Sequence, residues 1–230
     1  MPDYSLPSSV TLTFGQSSSG KTTFNLAYLL NARVACRFIF DWKEVEFSRR
    51  LKQPSATNER ECEKALASRY VCFNPIPLWG ADLFGALDWF GSWAIKASQR
   101  APGPKIFSVD ELWKFTDAHK EPPHSVDEIV RGIARPHGLQ FISSTQHPRD
   151  YHRNIRAEVT EWICFNTIEP GDLDAVRPYF AGVDVAATLQ KGEFVAYNRN
   201  SGGTVRGMLE PGWPPGRFLP IQPYSTSAQR

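Results

Sequence analysis

Two adjoining segments near the N-terminus decide the fold: VTLTF at residues 10–14 and GQSSSGKT at residues 15–22. The first segment is short and β-branched, which predicts a buried strand. The second matches the pattern GxxxxGK(S/T), in which a glycine-rich loop binds phosphate groups. Residues 21–32 then predict a helix with an apolar face. The motif therefore lies between a strand and a helix, which is the context that a phosphate-binding loop requires.

Each fixed position of this loop has a chemical reason. Gly15 and Gly20 let the backbone turn tightly and approach phosphates without an intervening Cβ atom. The loop N–H groups converge on the anion at the start of the helix, where the helix dipole also favours negative charge. We expect Lys21 to contact the β- and γ-phosphates and the Thr22 hydroxyl to bind Mg²⁺. The residues predicted to bind ATP are Gly15, Gln16, Ser17, Ser18, Ser19, Gly20, Lys21, Thr22 and Thr23.

A second acidic element follows a later strand. KIFSV at residues 105–109 runs directly into Asp110 and Glu111, which is the form of a Walker B element. Asp110 would bind Mg²⁺, directly or through water, and Glu111 would activate the attacking water as a general base. A carboxylate beside the metal-binding Asp favours hydrolysis of a nucleoside triphosphate over transfer to a small acceptor.

Short apolar runs alternate with helical patterns, which predicts an α/β fold with a mainly parallel central sheet flanked by helices. Ser125 and Glu128 suggest a capping box for a helix over residues 126–134, which should end before Pro136. Residues 211–230 hold five prolines and predict an extended tail or arm, which leaves residues 1–210 as the main domain. Further strands are predicted at residues 33–41, 70–73, 139–143, 161–166 and 194–197, and further helices at residues 59–68 and 83–98.

Composition narrows the class of protein. The 230 residues are 41% apolar and 22% charged, with a formal net charge of +2, as in an ordinary globular protein. No run approaches the ~20 apolar residues of a membrane-spanning helix, and we expect no transmembrane segment and no secretory signal. The four cysteines form no metal-binding pattern, and reduced thiols in a cytosol-like compartment are expected.

The motifs together resemble those of the FtsK–HerA superfamily of additional-strand P-loop ATPases. The resemblance extends over residues 8–207 and is most specific in RPHGLQFISSTQHP at residues 135–148, which matches an Arg-x-x-Gly, strand, Thr-Gln-x-Pro signature. It is also carried by FIFDWKE at residues 38–44, YVCFNP at residues 70–75 and the Asp110–Glu111 pair.

The resemblance implies a Rossmann-like P-loop NTPase that assembles as a homo-oligomeric ring, expected to be a hexamer. Gln146 would lie at the tip of a central strand between the strands of the P-loop and of Asp110, where its amide can sense the γ-phosphate or orient water. Arg135 would face the nucleotide of the neighbouring subunit as an arginine finger in trans. Arg131, one turn earlier, is the rival for that role.

Within the superfamily, a short chain without accessory domains resembles the genome-packaging ATPases of internal-membrane-containing, tectivirus-like double-jelly-roll viruses. This implies ATP-driven translocation of double-stranded DNA into a preformed capsid. Capsid or portal-vertex proteins would be partners, in the host cytoplasm at the procapsid or virion vertex, with membrane contact only through those partners. Two alternatives remain open: a phage morphogenesis or secretion-type ATPase that moves single-stranded DNA or protein, and a P-loop kinase or nucleotide switch without a polymer substrate.

Two basic clusters are candidate DNA contacts, although either can be a solvated face. One is residues 147–156, with three arginines and two histidines, and the other is Lys43 with residues 49–52. Trp79, Trp89 and Trp93 surround one predicted helix, and core or subunit packing is favoured over stacking on single strands. The proline-rich tail is suited to docking on an adjacent subunit or on the capsid vertex.

Overall fold

The computed structural model describes residues 10–43, 45–100, 102–115, 121–132, 137–180 and 183–209, and the backbone of residues 219–223. The strands are β1 (Val10–Phe14), β2 (Cys36–Phe40), β3 (Ser55–Ala56), β4 (Tyr70–Phe73), β5 (Lys105–Val109), β6 (Leu139–Thr145), β7 (Glu161–Phe165), β8 (Glu193–Asn198), β9 (Gly203–Met208) and β10 (Leu219–Pro223). The helices are α1 (Lys21–Asn31), α2 (Glu46–Leu51), α3 (Glu59–Ala65), α4 (Ile76–Trp79), α5 (Leu83–Arg100), α6 (His124–Val130), α7 (Arg153–Glu158) and α8 (Pro170–Val176).

All ten strands form one sheet in the order β10-β9-β8-β7-β1-β6-β5-β2-β4-β3. The seven strands from β7 to β3 in this order are parallel to their neighbours. β8, β9 and β10 extend the sheet beyond β7 as an antiparallel meander. β6 lies between β1 and β5, so the additional strand implied by the resemblance is present. The predicted α/β fold with a mainly parallel sheet is confirmed.

The register of the parallel strands brings the motifs to one edge of the sheet. Phe14 pairs with Thr145, and Val109 pairs with Ser143, on either side of β6. The phosphate loop, the acidic pair and Gln146 each follow one of these paired residues within a few positions. They therefore share the carboxyl edge of the sheet, where open α/β folds bind their ligands.

Helices cover both faces of the sheet, which explains why the central strands are buried throughout. Every residue of β1, β2, β5, β6 and β7 is buried, as expected for a parallel sheet packed on both sides. One apolar cluster joins Phe24 and Leu29 of α1 to one face, and the other joins Phe90 of α5 and Ile129 of α6 to the opposite face. Trp93 is buried against Phe38, and Trp79 and Trp89 pack against the same cluster, as predicted.

Some sequence-based expectations require correction. The predicted capping box is wrong, because α6 begins at His124 and Ser125 lies inside it, with its backbone N–H donating to Asp88 Oδ1 of α5 at 2.7 Å. The strand predicted at residues 33–41 is shorter, at Cys36–Phe40. Part of the predicted tail, β10, pairs with β9 at the sheet edge. The division of the chain at residue 210 stays a prediction.

None of the described helices is long and apolar enough to cross a membrane. All four cysteines are buried and unpaired. Among the described residues, no three or more His, Cys, Asp or Glu side chains form a cluster that could hold a metal ion.

Candidate active site

The phosphate loop is shaped by contacts with neighbouring strands. Gly15 adopts φ 145°, and a Cβ atom there would lie 2.8 Å from Phe165 Cβ. The N–H of Gln16 donates to the carbonyl of Asn166 at 2.8 Å, and the N–H of Gly192 donates to the carbonyl of Ser19 at 3.1 Å. The ends of β7 and β8 therefore hold both sides of the loop, and position 15 accepts only glycine without strain.

Lys21 is a buried cation at the first position of α1. Its Nζ donates to the carbonyls of Gly15 at 2.7 Å and Gln16 at 2.6 Å, which closes the loop on itself. Burial lowers the pKa of Lys21 to about 8, while the negative charges of Asp110 and Glu111 partly offset that effect. An incoming phosphate would stabilise the protonated form in this poorly solvated position.

A cavity of about 590 Å³ lies beside the loop, within the range of small-molecule and cofactor sites. Residues 18–23 form one wall, with Glu46 and Arg50 of α2 and Lys191 and Leu209 near β8 and β9 forming the rest. Gln16 and Ser17 are exposed on the loop and are not among the lining residues. The Ser19 hydroxyl is buried and has no hydrogen-bond partner among the described residues, so it can donate to a bound ligand.

Asp110 is buried, with one carboxylate oxygen engaged and one without a hydrogen bond from the described residues. The Ser144 hydroxyl donates to Oδ1, and Trp42 Nε1 donates to the Asp110 carbonyl at 3.0 Å. Oδ2 is buried and accepts no hydrogen bond from the described residues. Asp110 Oδ2 and the half-buried Thr22 hydroxyl are oxygen donors of the kind that Mg²⁺ prefers when phosphates and waters complete its coordination. The residues fit a magnesium site.

Glu111 is held by polar contacts on several sides. Its backbone adopts left-handed angles of φ 51° and ψ 49°, and Gln146 Nε2 donates to Oε1 at 3.5 Å. Burial alone would raise the pKa of the Glu111 carboxyl, but the ammonium groups of Lys43 and Lys114 outweigh it and the pKa is lowered. Glu111 is therefore ionised at neutral pH and adjacent to the predicted sensor glutamine.

Lys43 belongs to the candidate site, although the sequence did not predict it there. Its Nζ lies 2.5 Å from Glu111 Oε1 and 3.6 Å from Asp110 Oδ2, whereas the sequence suggested a candidate DNA contact. The strand order could have indicated this position for Lys43. β2 pairs with β5 in parallel, so the residues that follow the two strands reach the same edge of the sheet. Lys191, across the cavity, has no comparable local signal.

Of the two candidate arginine fingers, the structure describes only Arg131. Arg135 lies outside the described residues. Arg131 is exposed, and its Nε lies 2.8 Å from Asp127 Oδ1 of the same helix. No contact with the phosphate loop or the acidic pair is found for Arg131 in the described part of the chain.

The basic cluster at residues 147–156 is partly neutralised. His147 Nδ1 lies 3.0 Å from Asp172 Oδ2, and Arg149 contacts both Asp172 and Glu169 of the α8 region. His152 is buried, which leaves Arg153 exposed in this cluster. In the second cluster, Arg49 and Lys52 have exposed side chains, whereas Arg50 lies 3.6 Å from Glu46 Oε1 and lines the cavity.

The sequence matches no protein-family model and no curated protein. Solved structures nevertheless share its architecture. The genome-packaging NTPase B204 of Sulfolobus turreted icosahedral virus 2, in complex with AMPPCP, superposes with a TM-score of 0.73 at 20% identity, covering 87% of this chain and 97% of that chain. The chain has the fold of a viral genome-packaging NTPase.

More distant neighbours have the same architecture. The pCW3 conjugation coupling protein TcpA with ATPγS has a TM-score of 0.52 at 13% identity, over 83% of this chain and 57% of that chain. The cytoplasmic domain of the Thermomonospora curvata Type VII secretion ATPase EccC has a TM-score of 0.58 at 13% identity, over 89% and 24%. The resemblance predicted from the motifs is confirmed at the level of fold.

Proposed function

We propose that this chain is an ATPase that packages a viral genome by translocating double-stranded DNA into a preformed capsid. The observation that carries the proposal is the shared fold with the packaging NTPase B204 over nearly the whole of that chain. The phosphate loop and the acidic pair at the carboxyl edge of the sheet support the ATPase part independently of that likeness.

ATP would bind with its phosphates on the loop. The N–H groups of residues 15–23 and the Lys21 ammonium would hold the phosphates, and the buried Ser19 hydroxyl would add a donor. Thr22 and Asp110 Oδ2 would hold Mg²⁺, which when bound orients the phosphates and neutralises the charge that develops on them. Ser144 would keep the Asp110 carboxylate in position through its hydrogen bond to Oδ1.

Hydrolysis would then use Glu111 and Gln146. Glu111 is ionised because its pKa is lowered by Lys43 and Lys114 against the effect of burial, so it can accept a proton from the attacking water. Gln146 contacts Glu111 through its amide, and this position would let it orient that water or sense the γ-phosphate.

The ring and the DNA path are part of the same proposal. A homo-oligomer, expected to be a hexamer, would let Arg135 of each subunit complete the neighbouring site, with Arg131 as the rival. The exposed Arg49 and Lys52 are favoured as the DNA contact, because Arg149 and His147 are engaged with acidic residues. Capsid or portal-vertex proteins would be the partners, at the procapsid in the host cytoplasm.

The test is steady-state ATP hydrolysis with and without linear double-stranded DNA. We expect hydrolysis by the wild type, stimulation by the DNA and loss of both in Lys21→Ala, because the loop then lacks its cation. Lys64→Ala, which removes an exposed lysine of α3, is the matched control and should behave as the wild type. Hydrolysis without DNA binding or stimulation in any oligomeric state would refute translocation.

A second candidate function is an ATPase that moves single-stranded DNA or protein. The similarity in fold to a conjugation coupling protein and to a secretion ATPase supports this second candidate. Stimulation by single-stranded but not double-stranded DNA would select the first of these cargoes. The kinase alternative is disfavoured because Glu111 lies beside Asp110, where a general base for water is required only in a hydrolase.

A further inference from the structure

Three lysines surround the acidic pair, and they differ in what they contact. Lys21 donates to two backbone carbonyls of the phosphate loop. Lys114 lies 3.5 Å from Glu111 Oε2 and 4.8 Å from the centroid of the Trp42 ring. Of the described lysines, Lys43 alone forms ion pairs with both Asp110 and Glu111.

The segment that carries Lys43 is fixed by a neighbouring buried residue. Asp41, at the end of β2, accepts hydrogen bonds from the N–H groups of Phe47 at 3.0 Å and Ser48 at 2.7 Å, and from the Ser48 hydroxyl. These bonds tie the β2–α2 connection to the first turns of α2. The Lys43 side chain is 30% exposed, so its ammonium group is held at the carboxylates from a constrained backbone rather than from a free surface loop.

We propose that Lys43 competes with the divalent cation for Asp110 and Glu111 and thereby sets how tightly this chain binds that cation. The inference rests on the proposed roles of these two carboxylates and deepens them. Asp110 Oδ2, the oxygen that accepts no hydrogen bond from the described residues, is the atom nearest to Lys43 on that carboxylate. A cation ligated there would lie a few ångströms from a fixed ammonium group, and like charges at that range repel.

The size of the effect follows from the distance and the exposure. A unit charge about 4 Å from a divalent cation changes the affinity for that cation by about thirtyfold at the dielectric constant of water, and by more where water is excluded. Removing the Lys43 charge should therefore tighten cation binding by about thirtyfold or more. Removing the Lys114 charge should do less, because Lys114 contacts Glu111 and not Asp110.

The experiment measures Mn²⁺ binding to the full chain without nucleotide, by electron paramagnetic resonance of the free ion. We expect Lys43→Met to bind Mn²⁺ about thirtyfold more tightly than the wild type, and Lys43→Arg, which keeps the charge, to match the wild type. Lys114→Met is the matched control and should show a smaller gain. Adding Asp110→Asn to Lys43→Met should remove the gain, because the competed ligand is then absent.

Several outcomes would overturn the proposal: unchanged or weaker Mn²⁺ binding in Lys43→Met, a gain that survives Asp110→Asn, or no Mn²⁺ binding in any variant. Lys43→Gln, a neutral polar replacement, should show the same gain in Mn²⁺ affinity. It replaces Lys43→Met in the experiment if the methionine variant does not fold. Because neither ATP nor DNA is present, the result is separable from the proposed function. A chain that binds Mn²⁺ as expected but hydrolyses no ATP refutes the proposed function alone, and an active ATPase with unchanged Mn²⁺ affinity refutes the role of Lys43 alone.

Discussion

At the scale of single residues, the charge of Lys21 should make nucleotide binding depend on pH. Burial lowers the Lys21 pKa to about 8 in the free chain, and a bound phosphate raises it, so binding takes up a proton above that pH. We expect the affinity for a non-hydrolysable ATP analogue to be constant below pH 8 and to fall by up to about tenfold per pH unit above it. Calorimetric titrations at pH values on both sides of 8 measure this.

Lys21→Met separates this effect from other alkaline titrations. The variant lacks the ammonium group and should bind the analogue weakly, with no decline above pH 8. A wild-type affinity that stays constant well above pH 8 would show that the Lys21 pKa is not lowered in the free chain.

The site residues differ in how far the sequence could identify them. The phosphate loop and the Asp110–Glu111 pair are predictable because each is defined by neighbours within a few positions. Lys43 is not, because its ion pairs depend on β2 lying beside β5. The Ser144 bond to Asp110 and the Lys191 wall of the cavity depend on tertiary packing in the same way.

At the scale of elements, the loop between β1 and α1 should be intolerant of a side chain at its first position. Gly15→Ala brings a Cβ atom to 2.8 Å from Phe165 Cβ, in a backbone conformation of φ 145° that alanine avoids. We expect the free energy of unfolding to fall by about 2–4 kcal/mol, because steric overlap and backbone strain add. Chemical denaturation measures the change.

Gly80→Ala is the matched control for that substitution. Gly80 also has a positive φ, of 53°, but a Cβ atom there meets nothing within 4 Å. Its cost should be about 1–3 kcal/mol, from the backbone conformation alone, because ψ is −116° there. Equal losses in the two variants would show that the contact with Phe165 does not constrain the loop.

How well an element can be predicted from the sequence depends on which residues stabilise it. α5, β1 and β5 have strong apolar patterns and were predicted with nearly correct bounds. α2 was not predicted, because its first turn is stabilised by Asp41, which lies directly after β2. β9 was missed because only one of its residues is buried, so its sequence carries no clear alternation of apolar and polar residues.

At the scale of the whole molecule, the net charge of +2 limits how the chain could hold DNA. The 26 Lys and Arg side chains are nearly balanced by 24 Asp and Glu side chains, and the exposed Arg49 and Lys52 near α2 would supply two cations for DNA phosphates. A ring adds these contributions over its subunits, so binding would be strong only in the assembled form and would weaken with salt. The near-neutral charge is therefore compatible with a DNA motor whose contacts are local.

Mixed rings test whether one subunit completes the site of the next. Arg135→Ala keeps its own Glu111 but would deprive a neighbour of its finger, and should lower hydrolysis about 1,000-fold. Glu111→Gln is inactive in its own site but would still supply Arg135. Equal mixtures of the two variants should recover about a quarter of the wild-type rate, because about one site in four then has both groups.

The controls for the mixture are two other arginines. Arg60→Ala removes an exposed arginine of α3 and should leave hydrolysis unchanged, and Arg131→Ala tests the rival finger in the same mixture with Glu111→Gln. Recovery with Arg131→Ala and none with Arg135→Ala would transfer the role to Arg131. If Arg135→Ala alone lowers the rate no more than Arg60→Ala does, Arg135 has no part in the neighbouring site, and the ring would have to couple its subunits through other residues.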